Sequence, residues 1–170
     1  GSALVNLTHR SLLIETQGNF GDIRTGDRAA APRYIEAKLS DFAVDVALNH
    51  RLTEYQDSYD GRNKEPVQLP MKFPLLLLNG TEGIAVGLST KILPHNFNEL
   101  IKASISILNK KLFKIFPDFK TGGSIDVDNY KKGGKGGKIR IRSTIEIIEK
   151  DKLSIRSVPY STNTTLLIDS

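Results

Sequence analysis

The chain has 170 residues, enough for one domain or two small ones, and 39% hydrophobic with 25% charged residues is ordinary for a globular protein. It contains no cysteine, which excludes disulfides, zinc–thiolate sites and thiol nucleophiles. The net charge of +5 suits an anionic polymer such as DNA, although a solvated surface with a mild excess of lysine explains that charge at least as well.

No segment reaches the roughly 20 apolar residues of a membrane span, and the longest purely aliphatic run is residues 75–78. The start of the chain lacks the basic region and apolar stretch of a signal peptide. Gly1 and Ser2 have the character of a cloning remnant. We therefore expect no membrane partner, and we expect the natural chain to extend beyond this sequence.

The first predicted element is a short helix over residues 3–13, followed by turn-rich segments at residues 17–21 and 25–27. Apolar and polar side chains then alternate over residues 33–39, which predicts a strand with Ile35, Ala37 and Leu39 on its buried face.

Ser40 is placed to cap the next helix, in which apolar residues recur at positions 42, 43, 46 and 47. Tyr34 is therefore predicted on a short strand or extended loop just before a helix, facing away from the buried side.

The second half begins with a proline-braced passage over residues 65–74, which excludes a helix there and predicts a boundary. Residues 79–87 are predicted to form a glycine-punctuated loop. Asn96 and Glu99 have the spacing of a capping box, which predicts a helix with an apolar stripe over residues 100–108. Residues 131–138 form a basic, glycine-rich loop, and residues 139–155 alternate as a β-hairpin or meander does.

Few of the side chains suggest chemistry by themselves. His9, His50 and His95 have no acid at a recognisable spacing, and no cluster of metal ligands is apparent. The glycines of residues 80–87 lack the Gly-Lys-Ser/Thr ending of a P-loop. The adjacent Arg33 and Tyr34 are different, because a phenol can attack a phosphodiester and a guanidinium can stabilise the charge that develops. Taken alone, such a pair is most often two exposed side chains with no functional role.

The chain also contains several longer motifs, one of which includes this pair. They include Gln-Gly-Asn-Phe-Gly at residues 17–21, Ala-Ala-Pro-Arg-Tyr at 30–34, Tyr-Asp-Gly-Arg-Asn-Lys-Glu-Pro at 59–66, Gly-Ile-Ala-Val-Gly at 83–87, Pro-His-Asn at 94–96, Pro-Asp-Phe-Lys-Thr-Gly-Gly at 117–123 and Val-Pro-Tyr at 158–160. In this order, and over nearly the whole chain, they resemble the A subunit of bacterial gyrase and topoisomerase IV, the DNA-cleaving component of the bacterial type IIA topoisomerases.

The resemblance implies roles for three residues. Tyr34 becomes joined covalently to a DNA 5′ phosphate, and Arg33 contacts the DNA and stabilises the transition state. Ile84 wedges between base pairs and helps to bend the duplex, exchanging lost base stacking for protein contacts. Ordinary core packing is the alternative for Ile84.

The resemblance also implies an α+β fold. Residues 1–65 are expected to be the C-terminal part of an incomplete winged-helix domain, and residues 66–170 the N-terminal part of a mixed α/β tower domain. The chain itself is expected to bind no cofactor and no metal, with Mg²⁺ and ATP supplied through a partner B subunit.

The expected partners are double-stranded DNA, the B subunit in an A2B2 heterotetramer, and a second A subunit in the full-length protein. The enzyme would be an ATP-dependent type II DNA topoisomerase of the bacterial cytoplasm and nucleoid, and the isolated chain is expected to be inactive.

Three other interpretations remain. The Ala-Pro-Arg-Tyr and Asp-Gly-Arg-Asn-Lys-Glu-Pro motifs favour the topoisomerase IV type, with gyrase as the alternative. A non-catalytic DNA-binding or assembly module would use its Arg-Tyr pair structurally. A tyrosine recombinase is disfavoured, because no dispersed set of Arg, His and Lys residues is evident around the tyrosine.

Overall fold

The structure is a computed structural model that describes residues 1–10, 12–134 and 136–170 and divides into two compact units. Unit 1 consists of Gly1–Gly21 and Arg28–Leu75, and unit 2 consists of Asp22–Asp27 and Leu76–Ser170. Both units combine short helices with two-stranded antiparallel sheets, so the chain is a mixed α/β protein. In the described part, every helix is too short or too polar to cross a membrane.

Unit 1 contains two antiparallel strand pairs and two complete helices among its described residues. Its elements are α1 (Ser2–Arg10), β1 (Ile14–Gln17), a 3-10 turn (Pro32–Tyr34), β2 (Glu36–Leu39), α2 (Asp41–Ala47), β3 (Tyr55–Asp57) and β4 (Lys64–Pro66), and helix α3 (Leu75–Asn79) begins at its last residue. Strand β1 pairs with β2, with Gln17 opposite Glu36, and β3 pairs with β4.

The predicted first helix is confirmed over Ser2–Arg10 but is shorter than expected, since Leu12 and Leu13 already lead into β1. Ser11, which the prediction included, lies outside the described residues. The predicted capping of the next helix is also confirmed. The Ser40 hydroxyl accepts a hydrogen bond from the Ala43 N–H at 3.0 Å and donates one to the Leu12 carbonyl at 2.6 Å.

The predicted strand over residues 33–39 is only partly correct. The strand begins at Glu36, because Pro32 opens a 3-10 turn that takes up Arg33 and Tyr34. The predicted buried face is wrong: Ile35 is half-buried, but Ala37 is exposed and Leu39 is 51% exposed. A two-stranded ribbon covers little side-chain surface unless another element packs on it. The buried apolar positions of unit 1 are instead Phe20, Ala43, Ala47 and Leu75.

Unit 2 contains three antiparallel strand pairs and two further helices among its described residues. Its elements are β5 (Thr81–Ala85), β6 (Leu88–Ile92), α4 (Phe97–Leu108), β7 (Ser124–Asp126), a 3-10 turn (Lys131–Gly133), β8 (Arg140–Arg142), β9 (Ile145–Glu149), β10 (Lys152–Ile155) and α5 (Thr164–Ile168). The pairs are β5 with β6, β7 with β8, and β9 with β10.

The predicted helix start at Asn96 is confirmed, because its side chain accepts hydrogen bonds from the N–H groups of Asn98 and Glu99. Helix α4 buries Leu100 and Ala103, whereas Ile105 and Leu108 of the predicted stripe are exposed. The predicted hairpin after residue 139 is confirmed as β9 and β10. The preceding strand, β8, pairs with β7 instead of joining it.

Residues 22–27 belong to unit 2 because they bond to the start of α5. The Thr164 N–H donates to the Arg24 carbonyl at 2.9 Å, and the Thr165 hydroxyl donates to the Thr25 carbonyl at 2.7 Å. Within the segment, a hydrogen bond from the Arg24 guanidinium lowers the pKa of Asp22 to about 2.

Candidate functional site

Arg33 and Tyr34 occupy the last two positions of the 3-10 turn. Pro32 takes the first position, where its fixed φ suits the turn and its missing N–H leaves no bond unmade. The Tyr34 N–H donates to the Ala31 carbonyl at 2.9 Å, and Ile35 then returns to an extended conformation with φ −127° and ψ 147°. The backbone therefore holds Tyr34 at the corner between a tight turn and strand β2.

Both side chains of the pair are exposed and lie against each other. The Arg33 Cζ atom is 4.7 Å from the centroid of the Tyr34 ring, within the range of a cation–π contact. Tyr34 is 67% exposed, which agrees with the prediction that it faces away from the buried side. A large substrate could reach the phenol and meet the guanidinium donors at the same place.

Gly18 lies against the backbone of Tyr34, a contact that could not be predicted from the sequence. Its φ is +97°, which favours glycine, and a Cβ atom there would lie 2.8 Å from the Tyr34 carbonyl oxygen and 3.1 Å from Ile35 Cγ2. The turn after β1 thus passes directly along the backbone of Tyr34. Gly18 lies within the motif at residues 17–21, but that motif did not indicate a contact with Tyr34.

The turn that carries Gly18 is itself fixed within unit 1. The Asn19 carbonyl accepts a hydrogen bond from the Ala30 N–H at 2.9 Å, and the Asn19 side chain accepts one from the Gly21 N–H at 2.8 Å. Phe20 is buried, and its carbonyl oxygen lies 2.7 Å from Nε2 of His9. These bonds fix the segment against which the Tyr34 backbone packs.

An acidic side chain of β1 is paired with a lysine of β2. Across β1 and β2, Glu15 lies 2.9 Å from Lys38, and its hydrogen bond raises the pKa of the Lys38 ammonium. Among residues 1–10, 12–134 and 136–170, no three His, Cys, Asp or Glu residues are grouped so that they could hold a metal ion.

Ile84 lies on a projecting hairpin in unit 2, whereas Tyr34 belongs to unit 1. The predicted loop over residues 79–87 is wrong in its main part, since Thr81–Ala85 form strand β5. Val86 and Gly87, with φ +73° at Gly87, make the two-residue connection to β6. Ile84 is 88% exposed, so its side chain is not part of the core of unit 2 in this structure.

Two further apolar side chains accompany Ile84 at the end of this hairpin. Val86 is fully exposed, and Leu88 is 77% exposed. Neither was singled out from the sequence, although both lie in or beside the Gly-Ile-Ala-Val-Gly motif. An apolar projection of this kind can insert between stacked bases, as apolar wedges do in proteins that bend DNA.

Comparisons with known proteins agree with the motifs. The sequence profile of the family that comprises the A subunits of DNA gyrase and topoisomerase IV matches residues 1–170. The chain is similar to the A subunit of DNA topoisomerase 4 from Borreliella burgdorferi, with 49% identity over 168 residues that cover 99% of this chain and 26% of that protein.

It is also similar to the A subunits of DNA gyrases. Identity to the gyrase protein of Mycoplasma genitalium is 41%, covering 94% of this chain and 21% of that protein. Identity to the corresponding protein of Halalkalibacterium halodurans is 36%, covering 96% and 22%. The chain therefore spans about a quarter or less of the length of these relatives.

Proposed function

The chain belongs to the family of gyrase and topoisomerase IV A subunits, and from that premise we propose that it is part of the DNA cleavage–religation subunit of a bacterial type IIA topoisomerase. The observation that carries the proposal is the exposed Tyr34, held at a turn with the Arg33 guanidinium 4.7 Å from its ring. The higher identity to a topoisomerase 4 protein, 49% against 41% and 36% for two gyrase proteins, favours a topoisomerase IV type.

The proposed chemistry is reversible transesterification at phosphorus. The Tyr34 phenol loses its proton, and its oxygen forms a bond to a DNA phosphorus. The bond from that phosphorus to the 3′ oxygen breaks, and the leaving oxygen takes a proton to become a free 3′ hydroxyl. The products are a 5′-phosphotyrosyl link and a 3′ end, so resealing by the reverse reaction needs no separate energy source.

Arg33 is proposed to act on the phosphate that Tyr34 attacks. Its planar guanidinium offers several donors to phosphate oxygens, and these contacts strengthen as charge builds on the oxygens in the transition state. Because Arg33 is the immediate neighbour of Tyr34 and stacks on its ring, the two side chains reach the same phosphate. Gly18 keeps the backbone of Tyr34 where the turn places it.

Ile84 is proposed to bend the duplex. Its exposure at the end of a two-stranded hairpin, with Val86 beside it, supports insertion between base pairs. The unstacking that this requires costs about a few kcal/mol per step, which contacts on the bent duplex offset.

The remaining features of the proposal concern the whole enzyme. Residues 1–65 form the C-terminal part of a winged-helix domain and residues 66–170 the N-terminal part of a tower domain. The partners are double-stranded DNA, the B subunit in an A2B2 heterotetramer, and a second A subunit. Mg²⁺ and ATP come through the B subunit, the enzyme acts at the bacterial nucleoid in the cytoplasm, and the isolated chain is inactive.

Reconstitution tests the proposal. The full-length A subunit that carries this sequence is combined with its B subunit, Mg²⁺ and supercoiled DNA, and the reaction is stopped with a denaturant. Protein-linked DNA is the expected product, and ATP-dependent unlinking of catenated circles would identify the topoisomerase IV type. ATP-dependent introduction of negative supercoils would instead identify gyrase. DNA binding without any protein-linked product would mean a non-catalytic DNA-binding or assembly module.

A further inference from the structure

Strands β5 and β6 form a hairpin in unit 2 that we call the wedge hairpin, because its far end carries Ile84, the proposed wedge. Every residue of the two strands is exposed except Thr81 and Ile92, which pair with each other at the open end. An isolated two-stranded hairpin is only marginally stable in water. The direction of the wedge hairpin therefore depends on its open end, residues 80–81 and 92–95, which we call the hairpin base.

The side-chain ion pair along the wedge hairpin joins its two strands to each other. The Lys91 ammonium lies 3.2 Å from the Glu82 carboxylate across the strand pair, and both side chains are 55% exposed. Exposed pairs of this kind contribute little to stability. The pair links β5 to β6 but leaves the orientation of the hairpin to its base.

Gly80 lies at the hairpin base, between α3 and β5, and is buried. Its φ is +64°, in the left-handed region that favours glycine. A Cβ atom there would lie 2.6 Å from the Ile92 carbonyl oxygen and 2.8 Å from the Pro94 nitrogen. The backbone that leaves β6 thus passes directly against the residue that precedes β5, an approach that a side chain at position 80 would block.

His95 ties the segment after β6 to helix α3. Its ring is buried, with 7% exposure, and its Nδ1 lies 3.2 Å from the Leu77 carbonyl oxygen. Because a carbonyl oxygen only accepts, Nδ1 is the donor. Leu77 is in the last turn of α3, where carbonyl groups lack a partner within the helix. The imidazole therefore joins the segment after β6 to the helix before β5.

The segment at Pro117 supports the hairpin base as well. His95 and Pro117 pair as an isolated antiparallel bridge, and the Asp118 N–H donates to the Pro94 carbonyl at 2.9 Å. The Asn96 side-chain amide donates to the Asp118 carboxylate at 2.9 Å. The hairpin base is therefore bonded to two separate parts of unit 2, helix α3 and the segment at Pro117.

A small movement at the hairpin base is magnified at Ile84. The strand from Gly80 to Ile84 extends for about 13 Å, at the usual rise per residue. A tilt of about 10° at the base would then move Ile84 by about 2 Å. Misplacement by about 1 Å can cost about 10²-fold in the rate of a reaction, so the base has to be rigid for the wedge to act.

We propose that Gly80 and His95 are positioning residues for the Ile84 wedge, because they fix the direction of the wedge hairpin. The proposal rests on the proposed function, in which Ile84 enters the duplex. Both residues act through the backbone of the hairpin, without touching DNA themselves. Insertion has to overcome base stacking, and a hairpin that could tilt would turn aside instead of entering the duplex.

The test uses the full-length A subunit with its B subunit and a matched pair of glycine variants. Gly80→Ala places a Cβ atom 2.6 Å from the Ile92 carbonyl oxygen. Gly123→Ala is the control, because Gly123 directly precedes β7, has φ +95°, and would place a Cβ atom 2.7 Å from the Arg142 carbonyl oxygen. Both variants should melt earlier, since alanine is strained at positive φ, and they are compared at a temperature where both are folded.

A pair of histidine variants tests the hydrogen bond to α3. His95→Leu removes the donor and leaves the Leu77 carbonyl without it. His95→Asn places an amide N–H near the position of Nδ1, where it can donate to the same carbonyl. Asparagine should therefore retain what leucine loses, whereas a role in apolar packing alone would make leucine the better substitute.

DNA bending is measured by fluorescence energy transfer across a labelled duplex saturated with enzyme, and covalent DNA formation is measured on the same duplex. Gly80→Ala and His95→Leu should lose bending as Ile84→Ala does, and their covalent DNA formation should fall by at least about 10-fold. Gly123→Ala and His95→Asn should bend DNA normally.

A second set of duplexes is already kinked by a short unpaired bulge, which is moved base by base around the cleavage site. On the best of these duplexes, Gly80→Ala, His95→Leu and Ile84→Ala should recover most of the lost cleavage, because a kinked duplex needs no wedge. A variant that was only unstable would cleave both kinds of duplex equally poorly.

Equal losses of bending in Gly80→Ala and Gly123→Ala, or normal bending in Gly80→Ala or His95→Leu, would overturn the proposal. So would loss of bending in Gly80→Ala with none in Ile84→Ala, since the hairpin base would then act through another group. If no protein makes covalent DNA but bending changes as expected, the proposed cleavage function fails and the positioning roles of Gly80 and His95 stand.

Discussion

At the scale of single residues, the role of the Arg33 charge can be tested separately from that of the proposed nucleophile, Tyr34. Arg33→Ala should slow formation of covalent DNA by about 10²- to 10³-fold, the usual effect of losing one donor to transition-state charge. Single-turnover cleavage in the reconstituted enzyme measures this rate. Arg28→Ala is the matched control, because Arg28 is also an exposed arginine of unit 1. Equal rates of covalent DNA formation in the two variants would show that Arg33 takes no part in the reaction.

A substitution at Gly18 tests whether cleavage requires the backbone of Tyr34 to stay in the position that the turn gives it. Gly18→Ala puts a Cβ atom 2.8 Å from the Tyr34 carbonyl, so covalent DNA formation should fall by at least about 10-fold, since small misplacement of a reacting group costs about 10²-fold. Gly61→Ala is the control: its φ is also positive, at +67°, but nothing lies within 4 Å.

Both glycine variants should lower the melting temperature, because alanine is strained at positive φ, but only Gly18→Ala should lose cleavage at a temperature where both are folded. A similar loss in both variants would mean that unit 1 as a whole, and not this contact, supports Tyr34.

The residues of the candidate site were predictable from the sequence to different degrees. Arg33, Tyr34 and Ile84 followed from the motifs, and their exposure agrees with those motifs. Gly18 did not, since its importance depends on the sign of φ and on a neighbour 16 positions along the chain. Such a contact comes from the pairing of β1 with β2, which no local pattern fixes.

At the scale of elements, the hairpin of β5 and β6 carries the proposed wedge. Ile84→Ala should reduce DNA bending and cleavage with little effect on the melting temperature, because an 88% exposed side chain contributes little burial. Fluorescence energy transfer across a labelled duplex measures the bend. Ile147→Ala is the control, since Ile147 is 78% exposed on another hairpin of unit 2. Early melting with normal bending would show that Ile84 has a packing role.

The starts of the two helices that have a capping side chain were predicted correctly. The Ser40 and Asn96 caps depend on one side chain and the next turn of backbone, so sequence suffices. The segment at residues 79–87 was predicted as a loop because glycine usually interrupts a strand. The structure tolerates Gly83 within β5, where the nearest atom to an added Cβ would be Thr90 Cγ2 at 3.7 Å. The buried face of β2 was misjudged because alternation shows which side chains share a face, not what covers it.

At the scale of the whole molecule, the groups proposed to act on DNA belong to different units. Unit 1 holds Arg33 and Tyr34, and unit 2 holds Ile84. The chain spans 21–26% of the length of the relatives described above. Strand passage is therefore a property proposed for the full assembly of A and B subunits. Its cleavage step is proposed to depend on one atom of this chain, the Tyr34 hydroxyl oxygen.

Tyr34→Phe in the full-length A subunit, once it is assembled with its B subunit, tests that dependence most directly. Protein-linked DNA is measured after denaturant quenching, and duplex affinity is measured in parallel. Tyr59→Phe is the control, because Tyr59 is a fully exposed tyrosine of the same unit. We predict that Tyr34→Phe abolishes the covalent product while DNA affinity stays nearly unchanged, and that Tyr59→Phe retains both. Covalent DNA that persists with phenylalanine at position 34 would show that another group attacks the phosphate.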